Sequence, residues 1–263
     1  RRRHSFPTRR SSDLASTYPF TLPWQFAVMD DFSLFLSFFI FLIIRMVEYI
    51  GQSKQDEFVI KVLNYKRNGF FLEIGTNDPV LINNTYVLES VYGWRGLMVE
   101  YDRNYEESYK IKRKSQYIIQ DARLIDYEAL FAEYNFPTNM DYLQIDLEVN
   151  QNSTLQTLEL LDRTIFKNYK FAVVTFEHDI YSGDFFSTRE KSREIFLRNG
   201  YVMVFQDVKN CGNPYEDWYV HPSLVDMDFI NQIKRDASLE WSEIMEIINK
   251  VATNAYSSSS APV

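Results

Sequence analysis

The stretch Gly69–Asp78 (GFFLEIGTND) constrains this chain more than any other. An apolar run meets an acid, then a glycine, then three small polar residues, as in a buried parallel strand that ends in a tight turn. A second apolar run, Gly96-Leu97-Met98-Val99-Glu100, follows about one helix later and again ends in an acid. Strand, glycine turn, helix, strand, acid is the plan of a nucleotide-cofactor half-site. The glycine admits the backbone close to the ligand, and Glu100 is placed to take two ribose hydroxyls. A dinucleotide site wants Gly-x-Gly-x-x-Gly, and this turn holds Gly75 alone. A nicotinamide cofactor is therefore disfavoured. S-adenosylmethionine has no phosphate to cradle and still presents a ribose, so it fits better. The plain alternative is a strand turn with no ligand.

The segments that follow alternate regularly. Gln52–Lys66 has apolar residues at helical spacing, and strands are expected at Phe70–Gly75, Leu97–Tyr101, Tyr117–Asp121, Asp141–Asp146 and Phe171–His178. Helices are expected between them at 85–92, 104–112, 127–134 and 154–161. A helix over 188–199 leads to a sixth strand at Tyr201–Val208, and a short seventh covers Asp217–Val220. Residues 226–250 read as a C-terminal helix. Such alternation predicts a doubly wound, mostly parallel α/β sheet of seven strands, Rossmann-like, with an antiparallel edge hairpin. This is the layout of a class I methyltransferase.

Successive strands end in acid: Glu73 beside Gly75, then Glu100, Asp121, Asp146 and the cluster Glu177-His178-Asp179. In a wound sheet these ends face the ligand crevice, where like charges repel unless donors or positive charge relieve them. The sulfonium, amino group and ribose of S-adenosylmethionine supply both. The competing reading is that these acids cap the following helices, each worth about 0.3–1 kcal/mol. His178 is a candidate base for a hydroxyl proton, or a structural strand-end histidine. Asp146, Glu148, Glu177 and His178 could hold a divalent metal through oxygen and one nitrogen, but no motif spacing specifies one, and no metal is expected. Trp218, beside Glu216 and Asp217, either lines an acceptor pocket or is a core aromatic.

Charge limits the partners. Residues 1–14 hold five Arg and one Asp, a net of +4 that leaves −12 on the remainder of a chain totalling −8. So acidic a body is unsuited to nucleic acid. The single cysteine, Cys211, excludes an internal disulfide and a multi-cysteine metal site. Residues 1–28 read as a non-native or disordered leader. Residues 29–48 contain Phe32–Ile44, thirteen residues apolar except for two serines. As a helix this run spans about 20 Å, short against a hydrocarbon core of roughly 30 Å. It reads as a membrane anchor, a signal-type region or a packed helix. If it spans, Arg45 on one flank and Asp30 and Asp31 on the other favour a body facing the cytosol. The sequons at Asn83 and Asn152 would put glycans beside the site, which agrees with a cytosolic body.

GFFLEIGTND, GWRGLMVE at 93–100, DYLQIDLE at 141–148, FAVVTFEHD at 171–179 and EDWYV at 216–220 together resemble the FkbM-type methyltransferases. The likeness covers about 49–225, expected to be the methyltransferase domain, with 226–263 as C-terminal helix and tail. It implies methyl transfer from S-adenosylmethionine, usually to a hydroxyl of a sugar or other small molecule. Carried over by position, Gly75, Thr76 and Asn77 would face the methionine part of the cofactor, with Glu73 bracing the turn or touching the ligand. Glu100 would hold the ribose, Asp121 the adenine edge, and Asp146 the region near the transferred methyl. Glu177 and His178 would stand on the acceptor side, with Asp146 and Glu148 as the other catalytic candidates. Pro79 and Val149 occupy positions where the family usually has glycine. They motivate a runner-up reading, a non-catalytic binding protein on the same fold.

Overall fold

The computed structural model describes residues 47–148 and 151–259. The expected leader 1–28, the apolar run 32–44 and Val149 lie outside those residues. Among the described residues no helix is long and apolar enough to cross a membrane.

The chain runs α1 (Gln55–Val62), β1 (Phe70–Ile74), α2 (Tyr86–Ser90), β2 (Arg95–Glu100), α3 (Glu106–Lys112), β3 (Gln116–Ile119), α4 (Tyr127–Glu133) and β4 (Asn139–Ile145). It continues through α5 (Ser153–Arg163), β5 (Lys170–Glu177), α6 (Phe186–Arg198), β6 (Val202–Asn210), β7 (Asn213–Val220), α7 (Met227–Ile233) and α8 (Trp241–Ser259). Local chemistry explains the boundaries. β1 and β4 are buried along almost their whole length, as central parallel strands must be. α5 buries Leu155, Leu158 and Leu161 on one face. Asp126 accepts from the Ala129 amide and Asp226 from those of Asp228 and Phe229, caps worth about 1 kcal/mol each.

The sheet order is β3-β2-β1-β4-β5-β7-β6, parallel from β3 to β5, with β7 antiparallel to both neighbours. Strand order reverses at the β1/β4 pair, so the ligand crevice of a wound sheet opens outside their carboxyl ends. One face packs Leu72, Leu97, Leu143, Val174 and Phe176 against residues of α4, α5 and α6. On the other, Phe58 of α1 stacks on Trp218 with ring centroids 4.5 Å apart. Burying each such side chain contributes about 1.5–3 kcal/mol.

Three elements differ from expectation. β7 is eight residues long, starts at Asn213 and lies inside the sheet, between β5 and β6. Cys211 and Gly212 both take positive φ (53° and 83°), the signature of a two-residue primed turn, and the hairpin closes tightly there. β3 stops at Ile119, and Asp121 lies beyond it, capping a short 3-10 turn. The C-terminal helix is two helices. Between them the chain returns to β6, with isolated bridges Phe205–Arg235 and Lys209–Glu240, and covers an edge that would otherwise be open.

Candidate active site

Gly75 is dictated twice. Its φ is +82°, and a Cβ there would stand 1.6 Å from the Asp146 carbonyl oxygen. The Asp146 amide donates to the Ile74 carbonyl at 2.9 Å, and the Gly75 amide to that of Val99 at 2.9 Å. The ends of β1, β2 and β4 are thus joined at this glycine. Thr76 is buried, its hydroxyl bonded to the Tyr109 hydroxyl, which also donates to the Asn77 carbonyl. Asn77 is exposed and left-handed.

The turn is fastened to Glu100. One carboxylate oxygen accepts from the Asn77 amide at 2.7 Å, and the other from the amides of Tyr101 (2.8 Å) and Asp102 (2.7 Å). Beside it a shallow groove of about 570 Å³ is lined by Tyr101, Asp102, Arg103, Ile119 and Gln120 at the ends of β2 and β3. Tyr101 was not among the expected site residues, although an aromatic directly after a ribose acid was a usable signal. Asp121 is held by Arg123, with Nε at 2.9 Å and Nη2 at 2.6 Å, and this pairing keeps its carboxyl below the ordinary value.

Glu73 lies beneath the turn, 1 % exposed. It accepts from the Thr85 hydroxyl at 2.6 Å and from Asn83 Nδ2 at 3.3 Å. Burial pushes its pKa up to about 7 against the opposing pull of Arg113 and these bonds. Asn83 links it to the turn, since its Nδ2 also donates to the Thr76 carbonyl at 3.2 Å. Arg113 is the hub of this support. It reaches the Pro79 carbonyl (3.1 Å), Asn83 Oδ1 (3.0 Å), Thr85 Oγ1 (2.8 Å) and Glu89 Oε1 (3.2 Å).

On the same sheet face as Glu73, Asp146 and Glu177 come together and share a hydrogen bond. Burial is the main reason that both carboxyls are raised, Glu177 well above the ordinary value. The charges of Asp179, Glu148 and Glu100 raise Asp146 further. The pair therefore retains a proton that two separate acids would lose. Glu148 is exposed beside it. Tyr181, half exposed, feels the charges of Asp179, Glu177 and Asp146, which raise its phenol; it was also missed. Glu177 stands opposite Glu216 across the β5–β7 pair. Glu216 is buried and raised to about 8, and its Oε1 accepts from Gln55, Tyr215 and Trp218.

The expectation that His178 is a base facing the crevice is corrected. Its side chain is fully buried on the opposite face, the one that carries Asp217 and α6. Its Nε2 lies 3.5 Å from both Asp207 Oδ1 and Asp217 Oδ1. Arg193 bonds Asp217 at 2.7 and 2.9 Å and Asp207 at 3.0 Å, and Arg189 reaches Asp207 at 3.1 Å. Burial alone would raise the Asp217 carboxyl, but Arg193 and His178 hold it well below its usual value. His178, Asp207 and Asp217 bring possible metal ligands within 4.8 Å of one another. The two guanidinium groups already supply the positive charge there. Trp218 is fully buried on Phe58 and is a core residue, the second of its two expected roles.

The strand order, with its inserted antiparallel strand, defines the class I methyltransferase fold. No family model matches the chain, and no curated protein matches it. Solved structures give loose likenesses. A methyltransferase from Pyrococcus furiosus is 13 % identical, covering 66 % of this chain and 86 % of its own, with a TM-score of 0.42. Cofactor-bound Rv0187 from MTB is 12 % identical over 67 % and 82 %, with a TM-score of 0.43. Aeropyrum pernix fibrillarin with natively bound S-adenosyl-L-methionine is 11 % identical over 59 % and 67 %, with a TM-score of 0.38. The fold class rests on the strand order, not on these scores.

Proposed function

We propose that the chain is an S-adenosylmethionine-dependent methyltransferase of FkbM type that methylates a hydroxyl of a small molecule or glycan. One observation carries this reading: Gly75, Glu100, Asp146 and Glu177 converge at one end of the sheet, at a turn that crosses β4 too closely for any Cβ. A group with a ribose and a positive centre fits such a cradle. When bound, S-adenosylmethionine supplies a methyl already activated on sulfur, so alignment is the main task left to the protein. Backbone groups of Gly75–Asn77 border the methionine part, the free capacity of Glu100 Oε2 takes ribose, and Asp121 faces the adenine edge. Asp146, a stronger base than an ordinary carboxylate, takes the hydroxyl proton while Glu177 holds the proton the pair already shares. Glu148 and Tyr181 border the acceptor. The body's net charge of −12 favours neutral or cationic acceptors over phosphorylated ones. A cytosolic body tethered through 32–44 completes the reading.

A second reading, a binding protein on the same fold, draws on Glu100, whose carboxylate already takes three backbone amides. Calorimetry with S-adenosylmethionine separates part of this: Glu100→Ala is expected to weaken binding at least about tenfold while the far-ultraviolet circular dichroism stays the same. Unchanged affinity removes Glu100 from the cofactor site. A methyl-labelled donor incubated with a panel of hydroxylated acceptors completes the test, since the second reading predicts no label transfer.

A further inference from the structure

At the amino-terminal ends of β1, β2 and β3, the opposite end of these strands from Gly75, lies a cleft of about 320 Å³. Its volume is at the lower end of the range for small-ligand sites. Phe70, Tyr134 and Phe136 form an aromatic wall, with Phe136 edge-on to Phe70 at 6.2 Å and to Tyr134 at 5.9 Å. Arg95 and Lys114 contribute charge to the lining. The Arg95 guanidinium rests over the Phe70 ring, 5.3 Å from its centroid, which fixes it at the rim. Ser115 is buried in the lining.

Of the neighbouring acids, Glu133, exposed beside Tyr134, makes no ion pair among the described residues, while the other two are engaged. Glu89 pairs with Arg113 and accepts from the amides of Lys114 and Ser115. Asp141 takes Lys66 at 2.6 Å and the Phe70 amide at 2.8 Å. Arg95 and Lys114 are left without an ion-pair partner among the described residues. A cationic rim over an aromatic wall suits one kind of ligand. Charge-assisted bonds hold its anionic group, and the rings take a flat apolar body.

We propose that this cleft binds a small anion carrying a planar ring, with the anionic group on Arg95 and Lys114 and the ring against Phe136. The site is separate from the cofactor crevice and does not depend on the methyltransferase reading.

Phenyl phosphate titrated calorimetrically into the full chain tests this, with inorganic phosphate as the ringless comparison. Saturable binding is expected, at least about fivefold tighter than for inorganic phosphate and weakened several-fold between about 50 and 300 mM salt. The double substitution Arg95→Gln, Lys114→Gln removes two exposed charges with no ion-pair partner and the Arg95–Phe70 contact, so its thermal melt should fall by no more than a few degrees while affinity falls at least about tenfold. Saturating S-adenosylhomocysteine should leave phenyl phosphate binding as it was. Absence of saturable binding, equal affinity for inorganic phosphate, full affinity in the double variant, or displacement by S-adenosylhomocysteine would each overturn the proposal.

Discussion

On one face of the sheet, Asp146 and Glu177 meet with no cation bonded to either among the described residues. On the other, Asp207 and Asp217 meet with Arg189 and Arg193 bonded to them. Glu177 and His178 are adjacent in the chain, yet each belongs to a different one of these clusters. Where cations are supplied, Asp217 is held low and the cluster is a fastening between β7, the bulged β6 and α6. Where they are withheld, burial keeps a proton on the pair and leaves a carboxylate of raised basicity at the crevice. A concentration of acids is thus informative only once its counter-charges are known.

The sharpest way to break this contrast is to remove the fastening. Asp217→Ala removes the buried acceptor of two Arg193 bonds, of the Asp207 amide and of the Tyr219 hydroxyl, and is expected to cost about 3–5 kcal/mol in urea unfolding. A loss under about 1 kcal/mol would show that the cluster is no fastening. Next, Glu177→Gln keeps the shape of a protonated carboxyl but cannot exchange its proton. Methyl transfer should slow about a hundredfold, about 2.7 kcal/mol in barrier, while the melting temperature moves little. A normal rate would take Glu177 out of the chemistry.

The pH dependence of stability sharpens the same comparison. Burial raises Glu73 to about 7 and Glu216 to about 8. The folded chain therefore holds these protons after the unfolded chain has lost them at about pH 4.3. Their contribution is complete below that pH and is lost as pH rises through 7 to 8. Asp217 runs the other way: its contribution is present above about pH 4 and is lost as pH falls toward its depressed folded value. Unfolding free energy should be greater at pH 5 than at pH 8, and Glu216→Gln should flatten the slope. The smallest effect is expected for His178→Gln: turnover within about threefold of the parent and a stability loss of about 1 kcal/mol. A hundredfold fall in rate would restore His178 as a base.

Much of this was legible in the sequence. GFFLEIGTND announced both the first strand and the glycine, because a buried parallel strand is continuously apolar and a tight crossing needs φ > 0. The acids at 100, 146 and 177 followed from the strand pattern. The face of His178 was also legible, since Val174 and Phe176 share its parity and point into the core. The hairpin was not, because nothing about Cys211 marks it for a left-handed turn, and Pro214 disguised the start of β7. Arg113 was not legible either. Its partners Glu89, Asn83 and Pro79 lie 24 to 34 residues away, and charge alone cannot say which acid a buried arginine will meet.

The segment 234–240, laid along β6 between the last two helices, matters beyond its own bonds. Its amide at Arg235 and its carbonyl at Leu239 occupy backbone positions on β6 that another copy of the chain would otherwise use. A protein cut short near Val225 would bare that border together with Phe205, and copies would zip together through it before any question of catalysis arose.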